Sequence, residues 1–155
     1  MEAYIYEKVF FLFSLALMFF VFSSNIKANA LTFNQLPSTQ KSEQWTVEID
    51  KVKFSDPKNI KSKKGVYQTY SMAIKNTKND ASDVRIELFR DEENSNIKYG
   101  IVNSEGETLN RDDKDPFYFA NFPLSEKAKE LEVVITWKEK GSDRNYQERF
   151  IFNQN

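Results

Sequence analysis

Apolar side chains recur at every second position in several short segments of this chain, separated by polar turns. Trp45, Val47 and Ile49 alternate with polar residues in one such segment. A period of two places alternate side chains on one face of an extended strand, whereas an amphipathic helix needs a period near 3.6. Further segments show the same pattern: Tyr70, Met72 and Ile74; Val84, Ile86 and Leu88; Ile97, Tyr99 and Ile101; Leu131, Val133, Ile135 and Trp137; Tyr146, Glu148, Phe150 and Phe152. The chain is therefore predicted to be all-β.

These segments fit within residues 44–155 as seven or eight short strands. Turns rich in Gly, Asn, Asp and Lys separate most of them, as in sandwiches and barrels. Because each strand has one polar face, the sheets are expected to be antiparallel. A short helical stretch is also expected after Ser125, since serine is a favourable helix N-cap.

An apolar run at residues 9–22 precedes the strands. As a helix it rises roughly 21 Å, which is short of the ~30 Å hydrocarbon core of a bilayer. The triplet Ala-Asn-Ala at 28–30 has the small residues that signal peptidase accepts. We therefore predict a signal peptide at residues 1–30, cut between Ala30 and Leu31. Acidic residues weaken the positive charge before the run, so an uncleaved N-terminal anchor is the alternative.

The leader and the residue types together predict where the protein lies. Residues 31–43 have no clean period and are predicted to be a flexible tether before a single domain at 44–155. Either fate of the leader places this domain on the extracellular side, secreted or associated with the cell envelope. The chain has no Cys and so no disulfide, and its many Lys and Asn are typical of an exported protein of a Gram-positive bacterium. A net charge of −1 gives no overall attraction to nucleic acid or to an anionic membrane.

The stretch YSMAIKNTKNDASDVRIELF at residues 70–89 resembles the second and third strands of bacterial extracellular immunoglobulin-like modules. In those modules an alternating strand ends in Asn-Thr or Asn-Ser, and after a turn a second alternating strand pairs back. LEVVITW at 131–137 and YQERFIF at 146–152 resemble their closing hairpin. The resemblance covers residues 44–155, without the Cys pair of antibody domains. It implies an antiparallel immunoglobulin-like β-sandwich with a role in binding, spacing or scaffolding.

The residue types that the chain lacks limit its chemistry. It has no His and no Cys. This excludes nucleophilic sites that use either residue, histidine general bases and ordinary zinc sites. A serine–lysine pair or a carboxylate pair stays formally open, but no spacing selects one. The chain is predicted to be non-enzymatic and to need no cofactor.

One acidic loop is a candidate calcium site. Asp112, Asp113 and Asp115 offer carboxylate oxygens, the ligands that Ca²⁺ prefers, on a loop at one end of the sandwich. Arg111 and Lys114 dilute this charge, and the spacing is not that of an EF-hand. A solvated loop is the simpler interpretation of these residues.

A lysine-rich loop follows the first alternating segment. The simpler interpretation is a solvated hairpin loop, and the functional one is a patch for an anionic surface such as wall polymer or lipid head groups. Aromatic residues are not interleaved, so nucleic acid is not an expected partner. The lysines are Lys58, Lys61, Lys63 and Lys64.

An aromatic segment at residues 116–122 is the last candidate. Phe117 and Phe119 share one strand face and are expected in the core, whereas Tyr118 or Phe122 is a candidate to cap a binding surface for sugar or peptide.

The leading hypothesis is an exported, non-enzymatic immunoglobulin-like domain that contacts an unidentified protein or cell-wall polymer. The membrane is an expected partner only if the leader stays uncleaved. A calcium- or glycan-binding adhesion module is the alternative, and a small carboxylate-dependent hydrolase is the third possibility.

Overall fold

The structure is a computed structural model of the chain, and it describes residue 33 and residues 35–53 and 59–153. Within these residues the chain forms eight β-strands and no helix. The strands are β1 (Ser38–Lys41), β2 (Trp45–Lys51), β3 (Tyr67–Asn76), β4 (Ala81–Arg90), β5 (Tyr99–Leu109), β6 (Phe117–Ser125), β7 (Glu130–Glu139) and β8 (Asn145–Asn153).

The strands form two four-stranded sheets, and all neighbouring strands pair antiparallel. One sheet, here sheet A, has the order β1-β2-β3-β6, and the other, sheet B, has the order β5-β4-β7-β8. The chain passes from one sheet to the other between β3 and β4, between β5 and β6, and between β6 and β7. The predicted all-β antiparallel sandwich is confirmed, and the likeness to immunoglobulin-like modules is one of architecture.

The core lies between the inward faces of the two sheets. Trp45 of β2 contacts Trp137 of β7 edge to face, with ring centroids 5.4 Å apart, and this contact joins sheet A to sheet B. The alternating residues predicted for β2, β3, β4 and β7 are all buried there. They are Trp45, Val47, Ile49, Tyr70, Met72, Ile74, Val84, Ile86, Leu88, Leu131, Val133, Ile135 and Trp137.

Strand β7 is buried on both of its faces. Its outward residues Glu132 and Val134 are buried although they point away from the core. The Glu132 carboxylate accepts hydrogen bonds from Lys98 Nζ and from Arg149 Nη1, the latter at 3.1 Å. A buried carboxylate is tolerated when it is paired and hydrogen-bonded, and these two cations supply both conditions.

The predicted tether at residues 31–43 is wrong for part of its length. Ser38–Lys41 forms β1, which pairs with β2, and Gln40 Nε2 donates to the Ile151 carbonyl at 2.6 Å. Phe33 and Leu36 pack against the core. An edge strand can be held by main-chain hydrogen bonds, so the polar sequence of β1 shows no apolar period.

Two further local predictions are wrong. Residues after Ser125 form a turn, in which the Ala128 amide donates to the Ser125 carbonyl at 3.1 Å, and not a helix. Ile97 lies outside β5 and is 64% exposed, and Tyr99 is also exposed. Strand β5 is an edge strand whose pairing with β4 shifts register three times, so its apolar period does not follow one face.

The predicted leader at residues 1–30 lies outside the described residues. In the described part of the chain, no helix has the length and hydropathy that a membrane crossing requires.

Candidate contact surface

The connections between strands lie at two opposite ends of the sandwich, because all pairs are antiparallel. We call one the lysine end and the other the amide end, after the side chains that distinguish them. The lysine end comprises residues 59–66, 91–98 and 126–129, and the amide end comprises residues 42–44, 77–80, 110–116 and 140–144.

A tight turn presents the lysines at the lysine end. The Val66 amide donates to the Lys63 carbonyl at 2.9 Å, which closes a four-residue β-turn. Gly65 has a φ of 78° at the third position of this turn, where a left-handed backbone favours glycine. Lys63 and Lys64 therefore stand at the tip of the turn, with Lys61 just before it.

The backbone of this loop is fixed from the neighbouring β6–β7 turn. Glu126 Oε2 accepts from the Gly65 amide at 3.0 Å, and Glu126 Oε1 accepts from Gln68 Nε2 at 2.7 Å. The Glu126 amide in turn donates to the Val66 carbonyl at 3.0 Å. On the other side, Asn121 Nδ2 donates to the Ile60 carbonyl at 3.0 Å. Residues 60–66 are thus held by contacts to their backbone, and the lysine side chains among them make no hydrogen bond or ion pair with the described part of the chain.

The described lysines of this loop, Lys61, Lys63 and Lys64, are exposed. Within the described residues, none of Lys61, Lys63 and Lys64 has a carboxylate within ion-pair distance. By contrast, Lys127 at the same end lies 3.6 Å from Glu93. Lys58, the fourth lysine of the prediction, lies outside the described residues.

Two aliphatic side chains flank these lysines. Ile60 is 45% exposed and Val66 is 46% exposed, and both belong to the few large apolar residues that the described surface presents. The lysine end thus combines cationic and apolar side chains on one loop. The sequence revealed the lysines, but the exposure of Ile60 and Val66 depends on how the loop folds.

The amide end is closed by buried side-chain amides. Gln44 Nε2 donates to Asn76 Oδ1 at 2.7 Å and to the Asn79 carbonyl at 2.6 Å. Asn76 Nδ2 donates to the same carbonyl at 2.6 Å and to the Leu109 carbonyl at 2.7 Å. Because Leu109 ends β5 and Asn76 ends β3, this network ties sheet A to sheet B.

The candidate calcium residues lie on the β5–β6 loop at the amide end. Arg111 Nε lies 3.2 Å from Asp112 Oδ1, and this contact lowers the pKa of Asp112. Asp113 Oδ2 accepts from the Asn110 amide at 2.7 Å, while Asp115 is exposed. The described residues contain no group of three or more acidic side chains arranged to hold a metal ion, so the structure does not bring the three aspartates together.

The structure places the two aromatic candidates differently. Phe122 is 1% exposed and its ring centroid lies 6.2 Å from that of Tyr70, so the predicted surface role of Phe122 is wrong. The β3–β6 pairing shifts register between Tyr70 and Met72, and this bulge turns Phe122 onto the core side that Phe119 also faces. Tyr118 is half-buried, and its hydroxyl has no hydrogen-bond partner among the described residues.

Comparison with known proteins shows where the chain belongs. A family model described as YozF-like secreted protein matches residues 29–155. The chain belongs to this family of secreted proteins. It is 37% identical over 145 residues to the uncharacterized protein YozF of Bacillus subtilis (strain 168), covering 83% of this chain and 85% of that protein. No solved structure matches the chain.

One surface feature had no signal in the sequence. A depression of about 480 Å³ lies on the outer face of sheet B. Its charges are paired with each other: Arg85 Nε lies 3.4 Å from Glu105, and Lys138 Nζ lies 2.8 Å from Asp83, a contact that raises the pKa of Lys138. Bulges at Asp83 (φ 48°) and Gly106 (φ 78°) shape it. Since its cations and anions pair internally, the depression lacks the uncompensated charge of the lysine end.

Proposed function

We propose that this secreted protein is a non-enzymatic contact domain that binds an anionic surface of the cell envelope through its lysine end. The observation that carries the proposal is the set of three exposed lysines, free of carboxylate partners among the described residues, on a loop whose backbone is fixed.

The size of the expected attraction fits a reversible contact. A lysine near an anionic surface contributes about 1 kcal/mol. Three lysines then contribute about 3 kcal/mol, or roughly 150-fold in affinity. Because the charges are exposed, salt screens them over a Debye length of about 8 Å at physiological ionic strength. We therefore expect binding that weakens steeply as salt rises.

A role without covalent chemistry is supported by the residues that are present. The chain has neither His nor Cys to act as nucleophile or general base. The carboxylates of the depression on sheet B, Asp83 and Glu105, each pair with a cation.

The proposal is tested by cosedimentation of the protein, purified from the medium of an expressing Gram-positive host, with isolated cell envelopes. We expect binding at about 0.01 M NaCl that is lost by about 0.5 M. The triple variant Lys61→Ser, Lys63→Ser, Lys64→Ser should lose roughly 100-fold in affinity.

A matched control removes the same charge at and next to the amide end, from the last residue of β1, the penultimate residue of β3 and the β5–β6 loop. Lys41, Lys75 and Lys114 are exposed and have no ion pair within the described ranges, and their triple change to serine should leave binding within about 3-fold. Equal losses in both triple variants, or binding that does not depend on salt, would overturn the proposal.

A further inference from the structure

We infer that the anionic surface is a lipid bilayer and that the lysine end lies flat on its headgroups, with Ile60 and Val66 entering the interface. This inference rests on the proposed function and names its partner. Three independent features of the lysine end support it: the path of the N-terminal chain, the exposed aliphatic side chains, and the engagement of the nearby acidic residues.

The N-terminal chain reaches the sandwich at the lysine end. Ser38 at the start of β1 pairs with Ile49 near the end of β2, immediately before the loop that carries the lysines. Phe33 packs edge-on against Tyr70 at 5.0 Å and against Phe152 at 6.2 Å, both near the same end. Everything upstream of Phe33 therefore connects to the protein at this end.

Either fate of the predicted leader draws this end toward a membrane. If the leader is retained, the apolar run that ends at residue 22 lies eleven residues from Phe33, a reach of at most roughly 40 Å. If the chain is cut after Ala30, a new α-ammonium lies within roughly 11 Å of Phe33 and is largely protonated at neutral pH. The first outcome tethers the lysine end to the bilayer, and the second adds a positive charge to it.

The exposed aliphatic side chains favour lipid over a water-soluble polymer. Ile60 and Val66 each keep nearly half of their surface in water, on the loop that carries the lysines. A phosphate polymer offers no apolar phase to bury them, whereas a bilayer interface accepts aliphatic side chains beside cationic ones. We expect each to strengthen vesicle binding about 5-fold, which corresponds to about 1 kcal/mol.

Two acidic residues of the lysine end, Glu126 and Asp91, accept hydrogen bonds from the fold. Glu126 accepts from the Gly65 amide and from Gln68, as described above. Asp91 Oδ1 accepts from the amides of Lys129 and Glu130 at 2.8 and 2.9 Å. These carboxylates point into hydrogen bonds of the fold, so they oppose an approaching anionic surface less than free carboxylates would.

The experiment compares three probes: phosphatidylcholine vesicles, the same vesicles containing phosphatidylglycerol, and soluble poly(glycerol phosphate). We expect the protein to float with the phosphatidylglycerol vesicles and not with the pure phosphatidylcholine vesicles. The double variant Ile60→Ser, Val66→Ser should bind those vesicles roughly 30-fold more weakly and bind poly(glycerol phosphate) as the parent does. Ile151→Ser, which changes an exposed aliphatic residue on the outer face of sheet B, is the matched control and should leave vesicle binding unchanged.

Orientation is read independently of affinity. Because the chain has no Cys, a single introduced cysteine can carry an environment-sensitive fluorophore. A label at Val66→Cys should shift its emission to the blue on phosphatidylglycerol vesicles, and a label at Lys114→Cys at the amide end should not.

The outcomes separate the two proposals. Binding to poly(glycerol phosphate) without binding to vesicles, or an unshifted Val66→Cys label on bound vesicles, overturns the lipid inference and leaves the envelope contact standing. Absence of lysine-dependent binding to isolated envelopes, vesicles and polymer alike overturns the proposed function itself.

Discussion

The amide end of the sandwich is held by side-chain hydrogen bonds, whereas the lysine end is held mainly by hydrogen bonds to its main chain. At the amide end, the side chains of Gln44 and Asn76 are buried and bonded to each other, and Asn76 also donates to the Leu109 carbonyl of β5. At the lysine end, the loop is held through its main chain, with Glu126 as the main side-chain partner. The buried side chains at the amide end therefore stabilise the fold, whereas the side chains of Lys61, Lys63 and Lys64 at the lysine end make no ion pair with the described residues.

The strongest way to break this comparison is to remove the amide that joins the sheets. Asn76→Ala leaves the Leu109 carbonyl and the Gln44 amide without their buried partner, so we expect a loss of about 2–3 kcal/mol in the free energy of unfolding. Urea denaturation at neutral pH measures it. The exposed neighbour change Lys75→Ala should cost no more than about 0.5 kcal/mol, and equal costs would show that the buried amide adds no stability.

A double-mutant cycle sharpens the role of the network. Gln44→Ala should cost about 1–2 kcal/mol by itself, because Gln44 bonds both Asn76 and the Asn79 carbonyl. The double variant with Asn76→Ala should cost less than the sum by about 1 kcal/mol, since the two side chains share one bond and one acceptor. Strict additivity in the same urea measurements would show that the two amides act separately.

At the lysine end, stability should respond to the backbone and not to the lysines. Gly65→Ala places a side chain at a φ of 78°, and we expect it to cost about 1 kcal/mol, although the space around that position is open. Each of Lys61→Ser, Lys63→Ser and Lys64→Ser should stay within about 0.5 kcal/mol. Thermal melting of the four single variants checks this, and a lysine change that costs more than Gly65→Ala would contradict it.

The smallest expected effect on stability comes from Lys98, which is ion-paired, in contrast to the loop's lysines, which have no ion pair within the described residues. Hydrogen bonds to Glu130 and then Glu132 raise the pKa of Lys98. A raised folded-state pKa stabilises the protein below the unfolded value of about 10.4, and this contribution is lost as pH rises through the folded value. Because Lys98 is partly exposed, solvent screening keeps the effect small.

Melting curves between about pH 9 and about pH 11.5 test this titration. The parent protein should lose thermal stability over this range more steeply than Lys98→Met, and Glu130→Gln should flatten the curve in the same direction. An identical alkaline decline in the parent and both variants would show that Lys98 does not contribute.

The sequence predicts those strands in which the alternation of apolar and polar side chains alone determines which face of the strand is buried. Strands β2, β3, β4 and β7 alternate because their inward residues pack between two sheets. Strand β1 cannot be predicted from apolar alternation, because this edge strand of Ser, Thr, Gln and Lys is held by main-chain hydrogen bonds and has no apolar residues. The position of Phe122 was mispredicted because a bulge shifts its face, and a bulge depends on the pairing between strands.

The candidate site also has features that the sequence predicts and features that depend on the folded chain. Exposed lysines follow from composition and loop position, and the pairing of Arg111 with Asp112 joins neighbours in the chain. The fixing of Gly65 by Glu126 joins residues 61 positions apart, so only the folded chain brings them together. The exposure of Ile60 and Val66 depends on that same contact region and could not be read from the order of residues.

The last strand returns the chain to the end of the sandwich at which β1 begins: Asn153 pairs with Glu130, so β8 finishes beside the lysine end. A fluorescent protein or affinity tag fused beyond β8 would crowd the surface that we assign to the partner. A reporter inserted into the β7–β8 turn at residues 140–144 would instead stand on the far side of the sandwich. For any assay on living cells, that turn is the place to attach a handle.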